Sequence, residues 1–311
     1  MNRFGWLFGT RIADPSPGLS YPAVLRREPL STSAATSLGG VLAILAGYVV
    51  IVPGLAWLLV ACAWVLNGTP GHFGVYREQA IGFQHLSGMV ATHLAIGALV
   101  LLVLVVVARV HHLAPKWACS VQPGFRWRYA LATLLVAVVM LNSVHWLSRW
   151  DDPPTWNPGA GWGWWMLAIV LTAPLQAAGE EFFFRGYLLQ ASGILGRANW
   201  VAVVVSALIF AGLHGTQDVP LFVDRLGFGL LIGTLVVLTG GLEAAVAVHA
   251  VNNVFAFGYA VAGNRVEQLR TISGSQWSTT AWNLTAYFLV VLLCWIIGRR
   301  MNVATVTPDL S

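Results

Sequence analysis

The chain has 311 residues, 57% of them hydrophobic and only 9% charged, with a formal net charge of +5. A water-soluble fold takes about 25% of its residues from the charged types, so this composition excludes a soluble globular protein and fits an integral membrane protein embedded in a lipid bilayer. The positive charge is dispersed rather than gathered in a basic block, which excludes a nucleic-acid footprint; the three cysteines, Cys62, Cys119 and Cys294, are far apart and imply neither a disulfide nor a zinc–cysteine site.

Residues 1–36 are polar and contain Pro and Gly, without the short apolar core of a signal peptide, and read as a cytoplasmic tail. A crossing helix needs about 20 apolar residues. Such runs fall at roughly 37–66, 87–109, 129–148, 162–184, 199–215, 220–240, 242–262 and 280–298. The fold class expected is all-α: a polytopic transmembrane helix bundle of about eight spans. It forms one membrane domain over 37–300, with a short C-terminal tail over 301–311. With the N-terminus inside, twelve basic residues fall in inner segments, among them Arg26, Arg109, Lys116, Arg185 and Arg299. Four fall outside: Arg77, Arg149, Arg265 and Arg270. This bias places both termini in the cytoplasm. In a prokaryote the membrane would be the plasma membrane.

Ionisable residues inside a span are costly and point to function. The fourth run ends in AGEEFFFRGYLLQ. Glu181 and Arg185 stand at i and i+4, share a helix face and can neutralise each other. Glu180 is rotated by about 100° and is left over. Charges near a helix end can also simply be wet. The fifth run ends in FAGLHG, with Phe210 and His214 at i and i+4. The seventh holds HAVNN, with His249 and Asn253 on one face; interhelical hydrogen bonding is the plain alternative for that pair. Together the three stretches supply a carboxylate, two imidazoles and an amide. A glutamate with a histidine can hold and deprotonate water, and a histidine with an asparagine can donate to a developing oxyanion. No serine or cysteine stands out as a nucleophile.

The order EEFFFR (Glu180 to Arg185), FAGLH (Phe210 to His214) and HAVNN (His249 to Asn253) resembles the CPBP (Abi) family of intramembrane proteases. That family includes the type II CAAX prenyl endopeptidases and bacteriocin-processing proteins. The resemblance covers a core of about 162–262; the first three spans carry no signature. It implies an intramembrane endopeptidase acting on a membrane-associated or lipid-modified protein or peptide. By the same resemblance Glu180 is the general base with His214, His249 and Asn253 stabilise the oxyanion, and Glu181, Arg185 and Phe210 support the site. Metal dependence stays open: Glu180, His214 and His249 could hold a zinc ion with an open position, although no HExxH spacing fixes two ligands on one turn.

Other polar positions take plainer readings. His93 and His145 read as packing or interfacial residues, His111 and His112 as solvated, Asp224 and Arg225 as facing apart, placed to line a cavity or pair with other helices, and Glu243 as complementing a helix dipole. Two other functions compete: a proton-coupled transporter, since intramembrane Glu, His and Arg also build proton relays, and a non-catalytic scaffold that keeps the site. With these boundaries His214 lies near the outer end of its span and Glu180 near the inner end of its own. A common site then requires a fourth span that continues past Arg185, or a fifth that begins later.

Overall fold

The computed structural model describes residues 13–26, 30–194, 199–215 and 217–309. Among these residues every extended regular element is helical. In chain order the helices are α1 (Leu30–Leu66), α2 (Phe73–Ile81), α3 (Leu86–Arg109, with a break at Ala98), α4 (Trp127–Leu147) and α5 (Trp162–Ser192). They continue as α6 (Asn199–Gly212), α7 (Val219–Thr239), α8 (Glu243–Ala262), α9 (Gln268–Thr271) and α10 (Trp277–Arg300). Large apolar side chains such as Leu42, Val50, Leu101, Leu135, Val139 and Leu171 face outward. A surface of that kind is matched to lipid rather than to water.

Seven helices, α1, α3, α4, α5, α7, α8 and α10, are long and apolar enough to cross a membrane. The expected span at 199–215 is the difference. Its helix, α6, has 14 residues, a length of about 21 Å against a hydrocarbon core of about 30 Å. The connections nevertheless require α6 to run between the two ends of the bundle. At one end, Gly193 just past α5 accepts from Arg26 at 2.6 Å. At the other, the nitrogen of Asp218 before α7 donates to the carbonyl of Ser273 at 2.7 Å. The chain therefore returns through α6 by a short helix that stops part-way, followed by a turn. Both ends of the described chain also lie together: Gly18 N donates to Thr307 O, and Thr307 N to Leu19 O, each at 2.9 Å.

The part of the expected N-terminal tail that is described, 13–26, is not free. Tyr21 is fully buried and its hydroxyl donates to the carbonyl of Ala118. Residues 1–12 and 27–29 of that tail, with Arg3, Arg11 and Arg27 of the charge count, lie outside the described residues, as does Arg197. Thr307 in the expected C-terminal tail is buried as well. These strands of irregular chain are gathered by Arg126. Its guanidinium pairs with both oxygens of the fully buried Glu243, at 2.8 and 2.6 Å, and donates to the carbonyls of Thr239 and Ala304. Glu243 thus does more than complement a helix dipole: it closes an ion pair that joins the α7–α8 turn to the segment before α4 and to the C-terminal segment.

Inside the bundle α3 and α5 approach at glycine. A Cβ on Gly179 would lie 2.1 Å from the Ile96 carbonyl oxygen, and one on Gly97 3.2 Å from that of Leu175. Both neighbours are backbone, so neither can yield without moving a helix.

Removing one partner of a buried ion pair strands the other charge, at a cost of about 3–5 kcal/mol. Arg126→Met is expected to destabilise the detergent-solubilised protein by that amount in denaturant unfolding, and Arg126→Met with Glu243→Leu by much less. Gly179→Val, which forces α3 away from α5, is expected to lower the thermal midpoint, whereas the same change at Gly54, where nothing lies within 4 Å, should be close to neutral.

Candidate active site

The site is organised by the geometry of α5. This helix continues to Ser192, so Glu180 and Glu181 lie within it, not at its end. From Phe182 to Leu188 it widens into a π-helical turn, a distortion that recurs at functional sites. Arg185, expected in an inner loop, sits in this turn and is fully buried, as is Glu181. The guanidinium donates from Nη1 to Glu181 Oε1 at 2.9 Å. Its face lies 4.4 Å from the Phe210 ring centre, with Phe184 and Phe228 further out at 5.8 and 5.9 Å. Cation–π contacts of this sort stabilise a desolvated guanidinium by about 2 kcal/mol.

Glu181 Oε1 is shared. It also accepts from His249 Nδ1 at 2.7 Å. That bond fixes the imidazole and turns its Nε2 towards Glu180 Oε2, 3.4 Å away. The contact with Arg185 is therefore half of the bonding of Glu181; the same oxygen orients a second helix through His249.

Glu180 takes its other hydrogen bond from Gln176, whose Nε2 donates to Glu180 Oε1 at 2.8 Å. Asn253 Nδ2 in turn donates to Gln176 Oε1 at 2.8 Å. Gln176 was not singled out from sequence, yet it stands one turn before Glu180 at i and i+4, the same spacing that flagged Glu181 and Arg185. Asn253 thereby meets Glu180 through one intervening amide.

His214 reaches the same region because α6 is short. Ser206 donates to the Phe184 carbonyl at 2.8 Å, which sets α6 level with the π-turn of α5. One turn on, the Phe210 ring lies 5.0 Å from that of Phe184. A further turn brings His214, whose ring lies 4.5 Å from that of Phe210 and is exposed to the cavity. Its Nδ1 lies 2.6 Å from the Phe210 carbonyl oxygen. A carbonyl only accepts, so Nδ1 carries the hydrogen and the neutral ring presents Nε2 as a lone pair. Phe210 also packs edge-on to His249 at 6.3 Å, and Phe228, not flagged from sequence, does so at 5.0 Å.

Glu180, Gln176 and His214 line one cavity of about 350 Å³. His249 and Asn253 stand behind Glu180. Of the positions read plainly from sequence, two belong to this cavity. His93 is fully buried on its wall, with Nδ1 2.8 Å from the Thr172 hydroxyl. Arg225 also lines it and donates to the Gln217 side chain at 2.8 Å and to the His214 carbonyl at 3.3 Å. Asp224 faces away from its neighbour and accepts from Asn283 of α10. His145 stacks on Tyr259 at 4.2 Å. His111 is not solvated: it is buried, with Nε2 2.8 Å from the Tyr187 hydroxyl.

A three-ligand metal site at Glu180, His214 and His249 does not fit this arrangement. Among the described residues no three His, Cys, Asp or Glu side chains converge as a metal-holding group.

Comparison with known proteins agrees with these motifs. Over 98 residues the chain is 32% identical to the uncharacterized protein YyaK of Bacillus subtilis (strain 168), a stretch that covers 30% of this chain and 33% of that protein. No solved structure matches. Residues 161–255, which hold Glu180, Glu181, Arg185, Phe210, His214, His249 and Asn253, match the family model "Type II CAAX prenyl endopeptidase Rce1-like", and this segment is therefore an Rce1-like domain.

Proposed function

We propose that the protein is an intramembrane endopeptidase that hydrolyses a peptide bond of a membrane-associated or lipid-modified protein or peptide by means of an activated water. One observation carries the reading: Glu180 is held by Gln176 on one oxygen, faces His249 Nε2 with the other, and shares a cavity with a His214 ring whose Nε2 is an open acceptor. A water bound between Glu180 and His214 can donate one hydrogen to each. Glu180 takes the proton as oxygen attacks the scissile carbonyl, and later delivers it to the leaving amine.

The negative charge that develops on the carbonyl oxygen needs donors already in place. Asn253 has one amide hydrogen left after its bond to Gln176. His249 offers Nε2–H when it carries a second proton. Its Nδ1 lies on the Glu181 carboxylate, which holds the ring with Nε2 turned to the Glu180 side of the site. Two carboxylates, Glu180 and Glu181, then face two cations, Arg185 and His249, and the cluster is neutral in a medium where unbalanced charge is costly.

The test is cleavage of a membrane-peptide library by purified protein in liposomes, read by mass spectrometry. Glu180→Ala is expected to reduce product formation by about 10²–10⁴-fold, and Asn253→Ala by about 10²–10³-fold. A wild-type profile that is indistinguishable from that of Glu180→Ala would end the hydrolytic reading. Activity that survives a chelator is expected; its loss, restored by added zinc, would replace the water-activation scheme with a metal-dependent one.

A further inference from the structure

The hydrogen bonds around Glu180 continue beyond Asn253. Asn252 Nδ2 donates to Asn253 Oδ1 at 3.3 Å, and the Tyr287 hydroxyl of α10 donates to Asn252 Oδ1 at 3.2 Å. Five side chains from three helices are therefore linked in series: Tyr287, Asn252, Asn253, Gln176 and Glu180. The far end opens on a second cavity of about 280 Å³ between α4, α8 and α10, lined by Asn142, Asn252, Tyr259, Asn283 and Tyr287 among others.

The direction of the series is fixed by chemistry. An ionised carboxylate only accepts, so Gln176 must turn its NH₂ to Glu180 and its carbonyl to Asn253. Asn253 must then present NH₂ to Gln176 and its carbonyl to Asn252. The same step sets Asn252, whose carbonyl oxygen is left for the Tyr287 hydroxyl. Every hydrogen points towards Glu180. Bonds aligned in one sense polarise one another, by about 10–30% per bond.

We propose that Tyr287, Asn252, Asn253 and Gln176 form a one-way hydrogen-bond chain that orients Glu180 and delivers a hydrogen bond to its Oε1, which makes Gln176, Asn252 and Tyr287 positioning residues for the site. Tyr287 lies on α10, beyond the matched segment 161–255. The catalytic meaning of the chain rests on the reading of Glu180 as the base; its effect on the carboxylate does not.

Dicyclohexylcarbodiimide is a probe of that effect, since it adds across a protonated buried carboxyl group. The acid O–H adds to the C=N bond and the adduct rearranges to a stable N-acylurea. Labelling of Glu180, separated from Glu181 by fragment spectra, is followed in liposomes. Gln176→Leu removes a hydrogen bond to a charged group and is expected to speed labelling about tenfold. Asn252→Leu should speed it about threefold and Tyr287→Phe about twofold, with the thermal midpoint of Tyr287→Phe close to wild type. Tyr259→Phe is the control: it removes a hydroxyl from the same second cavity, one bonded to Asn142 and not to the chain, and should leave the rate unchanged. The other groups on Glu180 are untouched by these variants: Glu181 and Arg185 on α5, His249 on α8, His214 after α6, Tyr48 on α1, His93 on α3 and Arg225 on α7. The proposal is overturned if Tyr287→Phe and Asn252→Leu label at the wild-type rate, or if Tyr259→Phe accelerates as much as Tyr287→Phe. Graded labelling without any peptide cleavage by wild type would uphold the chain and sink the peptidase reading; cleavage without graded labelling would do the reverse.

Discussion

One carboxylate oxygen, Oε1 of Glu181, holds the centre of this molecule together. It accepts from Arg185 on its own helix and from His249 on α8. All three side chains are buried. A charge in such a place is tolerated only when it is paired and hydrogen-bonded. Arg185 cannot leave Glu181 without stranding it, and its guanidinium is packed against Phe210 of α6. Thus α5, α6 and α8, the three helices that carry the family motifs, are tied at one point by electrostatics and aromatic packing. The position of His249 Nε2 beside Glu180 follows from that tie, because the Nδ1 bond leaves the ring a single useful orientation.

The second constraint is depth. A polar centre built from several membrane helices needs its groups at one level, and the helices enter from opposite ends. Here the levels are matched by making one pass short. Fourteen residues take α6 from the end near Ser192 to the height of Glu180, where Gly212 to Gly215 leave the helix exposed to the cavity. A full-length span in this position would carry His214 past the site to the far surface. The π-turn of α5 acts in the same direction, since a widened turn rotates Arg185 relative to the glutamates before it.

Local spacing made part of this legible. The i and i+4 relation found the Glu181–Arg185 contact, and apolar runs found the helices. What spacing cannot express is the end of a helix that stops inside a membrane: 199–215 looks like a span because its residues are apolar, and only the return to Ser273 shows that α6 stops short. Nor can spacing assign partners between helices. Gln176 carried the right interval to Glu180, but an amide in an apolar run is an unremarkable polar residue until Asn253 is placed against it. His111 looked solvated for the same reason; its burial is decided by Tyr187, far away in sequence. His93 was isolated along the chain and becomes part of a cavity through the α3–α5 glycine contact, which draws Ile96 and its neighbours towards Glu180.

The cavity divides along the same line as the sequence match. Glu180, Gln176, Phe184, His214 and Arg225 lie within the matched segment, whereas Tyr48, Phe83, His93, Ile96, Leu269, Arg270 and Ile272 on its walls lie outside. The carboxylate of Glu180 and the His214 ring therefore come from the Rce1-like domain, while His93 and the Arg270 guanidinium reach the same cavity from outside it. The shape and polarity of the space in front of them come mostly from α1, α3 and the segment after α8. A change on those walls alters what fits without disturbing the ion-paired centre, because no wall residue touches Glu181 or Arg185 by an ion pair or hydrogen bond among the described contacts. The ion-paired centre and these walls are thus mechanically separable, and two proteins that share the domain over 161–255 can differ in the walls that α1, α3 and the segment after α8 place in front of Glu180.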